Sequence, residues 1–329
     1  MAKKKMLAIP GNDIFLKRDI EILRNHFDIR TAPGFNRRRP ITTTFRILKG
    51  TLWADLTFCH FAGTHAFLAV LFSKIFGKKS LVIVGGYEVA KLPEIGYGSM
   101  SQPIYAPIVR FVLNHADKLF AVSEFNKEEI LKYAKPKNVR VVYGSNIIDY
   151  NKFRPSGEKE ELVITTGFIK QLTIKRKGFE TFVKSAEYMP EVKFALIGDY
   201  LDDSIAYLKS VAPPNVTFTG PAGRDEVLRW CQKAKVYCQL SYYESFGVAL
   251  AEAMACGCVP VVTNKGALPE VVDDTGFYVP YGDAEVTAEA IKKALNSDNG
   301  KQARERIRQM FPTEKLQREL VSEVEELLK

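Results

Sequence analysis

Short runs of β-branched and apolar residues alternate with helix-length segments along this 329-residue chain. The alternation extends from residue 7 to residue 143, and it resumes from residue 162 to residue 262. Strands separated by helices pair in parallel, because each connection crosses back over the sheet before the next strand begins. The sequence therefore predicts an α/β protein with two Rossmann-like, doubly wound parallel sheets. We predict strands over 7–9, 55–59, 81–84, 118–122, 139–143, 162–166, 193–197, 216–218, 236–240 and 259–262, and helices over 17–27, 67–76, 124–133, 179–188, 204–211, 224–234, 248–255 and 314–328.

A stretch rich in Pro, Gly and charged residues interrupts the alternation at residues 153–160. Such stretches commonly join domains. We therefore expect one domain over residues 1–155 and a second over 156–312. Ligands of open parallel sheets bind beyond the carboxyl ends of the strands, so two such sheets facing each other would share one cleft.

Composition favours a globular protein, since 46% of the residues are hydrophobic and 26% are charged. The longest apolar run, residues 66–72, is well short of the roughly 20 residues of a membrane-spanning helix. The apolar run behind Lys3–Lys5 is too short for a signal peptide, so we expect a cytoplasmic protein. The five cysteines lack zinc-site spacing and are expected to be reduced and buried, with a metal or redox pair at Cys256 and Cys258 as the alternative.

The excess positive charge lies in the first half of the chain. Residues 1–150 hold 23 Lys or Arg against 12 Asp or Glu, whereas the remainder holds 24 against 26. This asymmetry points to an anionic partner or surface, with a solvated basic face as the alternative. No nucleic-acid-binding module is recognisable, and we expect no nucleic-acid partner.

The segment 241–262 carries the clearest chemical pattern. A predicted strand leads into a loop with Glu244 and Gly247, and a helix begins directly afterwards. The start of a helix offers backbone N–H groups and a positive dipole end to a phosphate, and Gly247 allows close approach. Glu252, within the apolar helix, needs a partner unless it is an exposed helix residue. With about 12 Å between two helical carboxylates eight residues apart, a glycosidase pair is disfavoured.

These residues resemble the family 4 glycosyltransferases of the GT-B fold. The resemblance is carried by Glu244-Ser245-Phe246-Gly247, by 252–257 and by the following 259–262, 265–272 and 275–280. Thr166-Gly167 and 176–179 also resemble the family's nucleotide-binding domain. The resemblance implies sugar transfer with retention of anomeric configuration from a UDP- or GDP-sugar, with no metal ion or other cofactor required.

The resemblance also implies roles for individual residues. Glu244 would orient the donor sugar, Glu252 the ribose, and Lys177 with the backbone of 246–248 the diphosphate. Family members return their last helix to the first domain, so we expect 313–329 to pack there. The predicted catalytic residues are Glu244 and Lys177, and the predicted donor-binding residues are Gly167, Lys170, Arg176, Gly220, Ser245, Phe246, Gly247, Val248 and Glu252.

Two departures from the family pattern affect the chemistry. Phe168 stands where members usually carry an Arg, so Lys170, Lys175 or Arg176 would supply the second cation. Gly85-Gly86-Tyr87-Glu88 stands where many members carry a His. The family's glycine-rich first loop is reduced here to residues 10–13, where Gly11 would let a phosphate or sugar approach the backbone. We assign Gly11, Gly86, Tyr87 and Glu88 to the acceptor side, and His60 and His65 are either structural or close to the site.

The main alternative is a catalytically weak sugar-nucleotide or polyanion-binding protein of the same fold, and an epimerase is a further one. The segment Arg37-Arg38-Arg39, with the interleaved basic and apolar residues 45–49, predicts contact with an anionic membrane surface. A peripheral location at the inner membrane face and a lipid-linked acceptor would follow. The alternative is that residues 45–48 form the core face of a short helix.

Overall fold

The computed structural model describes residues 3–9, 14–143 and 148–329. It divides the chain into two compact units, one of Met1–Ile147 with Thr313–Lys329 and one of Ile148–Pro312. Each unit contains a six-stranded sheet in which all neighbouring strands are parallel. The predicted α/β class with two doubly wound sheets is confirmed.

The sheet of the first unit has the strand order β2-β1-β3-β4-β5-β6, so the order reverses between β1 and β3. Its inner strands are buried on both faces, which explains their continuous apolar sequences. The elements are β1 (Lys5–Ile9), α1 (Ile14–Arg24), β2 (Asp28–Thr31), α2 (Pro40–Trp53), β3 (Leu56–His60), α3 (Thr64–Ile75), β4 (Lys79–Val84), α4 (Tyr105–His115), β5 (Lys118–Ala121), α5 (Glu124–Tyr133) and β6 (Val139–Val141).

The sheet of the second unit has the order β12-β11-β10-β7-β8-β9, and its reversal lies between β7 and β10. Val163 of β7 pairs in register with Val236 of β10. The elements are β7 (Glu160–Thr166), α6 (Gln171–Lys177), α7 (Phe179–Ser185), β8 (Lys193–Ile197), α8 (Ile205–Ser210), β9 (Val216–Phe218), α9 (Arg224–Lys233), β10 (Ala234–Gln239), α10 (Val248–Ala255), β11 (Val259–Thr263), α11 (Leu268–Val272), β12 (Phe277–Val279), α12 (Ala284–Leu295) and α13 (Asn299–Met310).

The boundary between the units lies at Ile147 and Ile148, earlier than the predicted position after residue 155. The reason is that residues 148–155 are bound to the second unit. The Tyr150 hydroxyl donates hydrogen bonds to the carbonyls of Ile307 (2.7 Å) and Phe311 (3.0 Å). Phe153 is fully buried. The Pro- and Gly-rich composition therefore marks a turn inside the second unit.

The last helix, α14 (Thr313–Leu327), belongs to the first unit. Leu316, Leu320 and Val324 form its buried stripe. The buried ammonium of Lys118, at the start of β5, donates to the Glu323 carboxylate at 2.6 Å and to the Glu323 carbonyl at 3.1 Å. A buried cation needs such partners, so this contact fixes the helix against β5.

All five cysteines are free and buried, as expected for reduced side chains with structural roles. Burial raises the pKa of the Cys256 thiol to about 12. Within the described parts of the chain, no helix is both long enough and apolar enough to cross a membrane.

Candidate functional site

The candidate site lies at the carboxyl edge of the second unit's sheet, between the neighbouring strands β7 and β10, where the strand order reverses. At such a reversal, the loops that follow the two neighbouring strands turn away from each other, and a crevice remains between them. Gly167 follows β7 directly, and Glu244 lies in the loop between β10 and α10. The fold therefore brings together two groups that are 77 residues apart in the sequence.

Lys177, the last residue of α6, extends back across the end of β7. Its ammonium donates a hydrogen bond to the Thr166 carbonyl at 3.4 Å. A Cβ atom on Gly167 would lie only 2.9 Å from the Lys177 side chain, so the lysine packs directly over this glycine. Burial lowers the pKa of Lys177 to about 8, while the nearby Glu244 carboxylate raises it and Arg176 lowers it further. A cation held at the crevice in a partly desolvated environment is suited to binding an anionic ligand.

Glu244 lies beside a second cation from the same helix. A guanidinium nitrogen of Arg176 (Nη1) is 3.7 Å from the Glu244 carboxylate and donates to the Tyr243 carbonyl at 3.3 Å. The backbone of the Glu244 loop is also tied to α6, since the Tyr242 N–H donates to the Arg176 carbonyl at 2.8 Å. These contacts bring Arg176, Lys177 and Glu244 into one cluster.

A buried polar chain lies beneath this cluster. The amide of Gln239 donates to the Ser241 hydroxyl at 2.7 Å and to the Glu244 carboxylate at 3.3 Å. The Tyr237 hydroxyl is 2.8 Å from the Thr166 hydroxyl, which links β10 to β7. Gln239 was not among the residues predicted from the sequence, although a polar residue at the end of an apolar strand is the feature that would have identified it.

Helix α10 begins at the mouth of the same crevice. Gly247 is its N-cap residue, with φ 95°, and Val248 is its first residue. Ser245 and Phe246 are buried, and the Phe246 ring packs edge-to-face on Phe311 at 5.0 Å. The first-turn N–H groups of a helix have no intrahelical acceptors, so this helix start is suited to an anion.

Glu252 is buried within α10, as the apolar helix predicts, and it has a charged partner. A guanidinium nitrogen of Arg224, the first residue of α9, lies 2.5 Å from its carboxylate. The Arg224 guanidinium also lies over the Phe153 ring, 5.2 Å from its centroid. Arg224 was not predicted as a site residue, because no local pattern in the sequence indicates that the start of α9 lies beside α10.

Two further predicted donor residues occupy loops at the same edge. Gly220 follows β9 and is buried. Lys170 is the N-cap residue of α6, and its N–H donates to the Thr173 hydroxyl at 3.0 Å. Phe168, which stands in the place of the family's Arg, is 58% exposed.

In the first unit, Glu88 ties two loops at the carboxyl edge. Its carboxylate accepts hydrogen bonds from the N–H groups of Ala62, Gly85 and Gly86 at 2.9 to 3.1 Å. Burial raises the pKa of Glu88, whereas these backbone hydrogen bonds lower it. Tyr87 beside it is exposed, and its hydroxyl accepts a hydrogen bond from Gln102 at 2.8 Å.

Both histidines named in the sequence analysis have structural partners. A ring nitrogen of His60 (Nε2) is 2.9 Å from the Asp19 carboxylate, and both side chains are buried. The Nε2 atom of His65 is 2.7 Å from the His60 carbonyl, and burial lowers the pKa of His65. Gly11 lies outside the described residues. In the described ranges, no group of three or more His, Cys, Asp or Glu side chains could hold a metal ion.

Residues 149–310, nearly the whole second unit, match the family described as glycosyl transferases group 1. The second unit of the chain is therefore similar to that family. The chain is 28% identical over 284 residues to N-acetyl-alpha-D-glucosaminyl L-malate synthase of Bacillus anthracis, covering 80% of this chain and 72% of that protein. It is 29% identical over 209 residues to D-inositol 3-phosphate glycosyltransferase of Mycobacteroides abscessus, covering 56% of this chain and 45% of that protein.

Solved structures of low sequence identity share the fold of the chain. Sucrose-phosphate synthase of Thermosynechococcus elongatus superimposes with a TM-score of 0.83 at 18% identity, covering 99% of both chains. Anabaena HepE, solved in complex with UDP and glucose, superimposes with a TM-score of 0.80 at 15% identity, covering 98% of this chain and all of HepE. The resemblance to group 1 glycosyltransferases and to the GT-B fold is confirmed.

Proposed function

We propose that the protein is a retaining glycosyltransferase of the hexosyltransferase type that uses a UDP- or GDP-sugar. The observation that carries the proposal is the cluster of Lys177, Arg176 and Glu244 at the end of β7, beside the start of α10. A nucleotide sugar has the matching charges, with two phosphates and a neutral sugar that offers hydroxyl groups. The UDP complexes of HepE support a nucleotide-sugar donor.

In the proposed reaction, the bond between the anomeric carbon and the diphosphate oxygen breaks. The acceptor hydroxyl oxygen bonds to that carbon on the same face, and its proton passes to the departing phosphate. Negative charge grows on the diphosphate during this step, and the Lys177 ammonium with the α10 N–H groups would stabilise it. Because these groups supply positive charge, we propose that no metal ion is required.

The carboxylates of Glu244 and Glu252 would bind different parts of the donor. Glu244 would accept hydrogen bonds from hydroxyls of the donor sugar, and Arg176 beside it would act as the second cation in place of the missing Arg. Glu252 would bind the ribose hydroxyls. Since Arg224 is bound to Glu252 in the free protein, the nucleotide would share or displace this contact.

The acceptor would bind at the first unit, where Gly86, Tyr87 and Glu88 follow β4. Glu88 would position this loop through its three backbone hydrogen bonds, and the exposed Tyr87 ring would offer a surface for a sugar. We propose a cytoplasmic protein that meets a glycan, lipid-linked or small-molecule acceptor, with an anionic membrane surface as the place where a lipid-linked acceptor is reached.

Incubating the purified protein with UDP-glucose, UDP-N-acetylglucosamine and GDP-mannose tests the proposal. Release of UDP or GDP above background, lost in Glu244→Gln, is expected for one of them. Nucleotide stabilisation in a thermal-shift assay without any release would instead support the sugar-nucleotide-binding alternative. Interconversion of the donor without nucleotide release would indicate an epimerase.

A further inference from the structure

Helix α2 in the first unit buries two threonines and one isoleucine and leaves several large apolar side chains exposed. Thr43, Ile47 and Thr51 are buried, and the threonine hydroxyls donate to helix carbonyls at 2.7 and 2.9 Å. Ile41 and Phe45 are 84% and 63% exposed. Thr43, Ile47 and Thr51 therefore form the core face of the helix, and Ile41 and Phe45 lie on a face that does not pack on the core.

The outer apolar residues have regular helical spacing. Ile41, Phe45, Leu48 and Leu52 recur at intervals of four, three and four residues, which places them along one stripe. Leu52 is 51% exposed, and Leu48 is half-buried. The sequence alternative, in which residues 45–48 form the core face of a short helix, fails for Phe45, since only Ile47 of this segment is fully buried.

The stripe lies in the most basic part of the chain. Residues 29–87 contain nine Lys or Arg and only one acidic residue, Asp55, whereas the net charge of the whole protein is +9. Arg37–Arg39 precede α2, and Arg46 and Lys49 lie on it, all exposed. Within the described residues, no carboxylate is within 4 Å of the charged groups of these five cations.

We infer that the outer face of α2 binds an anionic lipid surface, with the apolar stripe in the headgroup region and the flanking cations on lipid phosphates. The other candidate ligands match either the cations or the apolar stripe of this surface, but not both. A second copy of the chain would set one basic face against another, and a soluble polyanion would leave Ile41 and Phe45 in water. An anionic bilayer matches both the charge and the apolar groups.

The position of α2 relates this surface to the proposed acceptor side. In a parallel sheet each connecting helix runs opposite to the strands, so α2 begins near the carboxyl edge from which the Gly86–Glu88 loop leaves β4. The Arg37–Arg39 end therefore lies at the edge where acceptors would bind. This inference deepens the proposed function by naming the surface that reaches a lipid-linked acceptor, and it rests on that proposal for its biological meaning.

The test is co-sedimentation of the full protein with vesicles of phosphatidylcholine, with and without phosphatidylglycerol, at low and high salt. The wild type is expected to bind only the anionic vesicles and to be released by salt. Ile41→Ser with Phe45→Ser should weaken binding by about tenfold or more. The matched control, Leu201→Ser with Val286→Ser, replaces exposed apolar residues of the second unit and should leave binding within about twofold of the wild type.

A charge variant, Arg38→Gln with Arg46→Gln, should also weaken binding, whereas Lys292→Gln with Lys293→Gln on α12 should not. No wild-type binding, binding unaffected by salt, or full binding by the Ile41 and Phe45 variant would overturn the inference. So would a dimer in sedimentation equilibrium that this variant dissociates. UDP affinity, measured on every variant, separates failure of the membrane surface from failure of the donor site.

Discussion

Nucleotide binding should become weaker as the pH rises above about 8, because Lys177 loses its proton there. The pKa of this ammonium falls from an ordinary 10.5 to about 8 in the free protein, with burial as the largest cause. At 1.36 kcal/mol per pKa unit, holding the charge at this position costs about 3 kcal/mol. A bound diphosphate would offset that cost and return the pKa towards its ordinary value.

The coupling between proton binding at Lys177 and nucleotide binding sets the size of the change in Kd. Between about pH 8 and the pKa in the complex, the Kd for UDP should rise by up to about tenfold per pH unit. At pH 8.5, above the pKa of Lys177 in the free protein, binding should take up a fraction of a proton. Titration calorimetry in buffers of different ionisation enthalpy measures both quantities, for UDP and for GDP.

Two variants complete this test. Lys177→Met should remove the proton uptake and lower turnover at pH 7 by roughly 10²-fold. The control, Lys193→Met, removes a lysine at the opposite, amino end of β8 and should change neither. A Kd that stays constant from pH 7 to 9.5 in the wild type would refute a role for Lys177 in holding the diphosphate.

The same pKa predicts a stability gain in Lys177→Met. Between pH 8 and 10.5 the unfolded chain binds a proton at Lys177 that the folded chain does not, so the lysine destabilises the fold below this range. The variant should therefore unfold with a free energy up to about 3 kcal/mol higher at pH 7, and the gain should vanish as the pH rises through 10.5. Denaturant unfolding at pH 7 and pH 10 measures it.

Three further predictions concern the rest of the donor site. Glu252→Ala should weaken UDP binding while Glu244→Ala should mainly lower kcat, and equal effects of both variants on both parameters would contradict the assigned roles. Gly266→Ala should abolish turnover, because the φ of Gly266 is 60° and a Cβ atom there would lie 2.3 Å from the Glu244 carbonyl oxygen. Wild-type kinetics in this variant would show that the Glu244 loop tolerates displacement. Transfer should persist in EDTA, whereas loss that magnesium or manganese restores would contradict the metal-free mechanism.

The elements with the strongest sequence patterns were predicted best. Strand β8 and helices α5 and α10 have the predicted bounds, because a buried parallel strand is continuously apolar and the two helices begin directly after Ser123 and Gly247. The edge strand β9 also has the predicted bounds. Strand β2 (Asp28–Thr31) was not predicted; it lies at the sheet edge and is largely exposed. A polar edge strand lacks the apolar run on which such predictions depend.

Tertiary contacts explain the other differences from the sequence analysis. The linker was expected at residues 153–160 because of its composition, yet Tyr150 and Phe153 attach this segment to the second unit. The pairing of Arg224 with Glu252 joins residues from two helices, and no local pattern encodes it. For α2 the periodicity of the apolar residues was visible, but whether that stripe faces the core or the solvent depends on how the helix packs.

Contact lengths distinguish Lys177 and Glu244 from two charged side chains of the first unit. The Lys118 ammonium lies 2.6 Å from the Glu323 carboxylate, and the Gly86 N–H donates to the Glu88 carboxylate at 2.9 Å. At the donor site, Lys177 lies 3.4 Å from its carbonyl acceptor, and Glu244 lies 3.3 Å from the Gln239 amide. Hydrogen bonds of this length are weak, so these two groups gain little from their present partners. A ligand that supplies phosphate oxygens to the lysine and hydroxyl groups to the carboxylate would improve both sets of contacts, which is the behaviour expected of catalytic groups in a ligand-free enzyme.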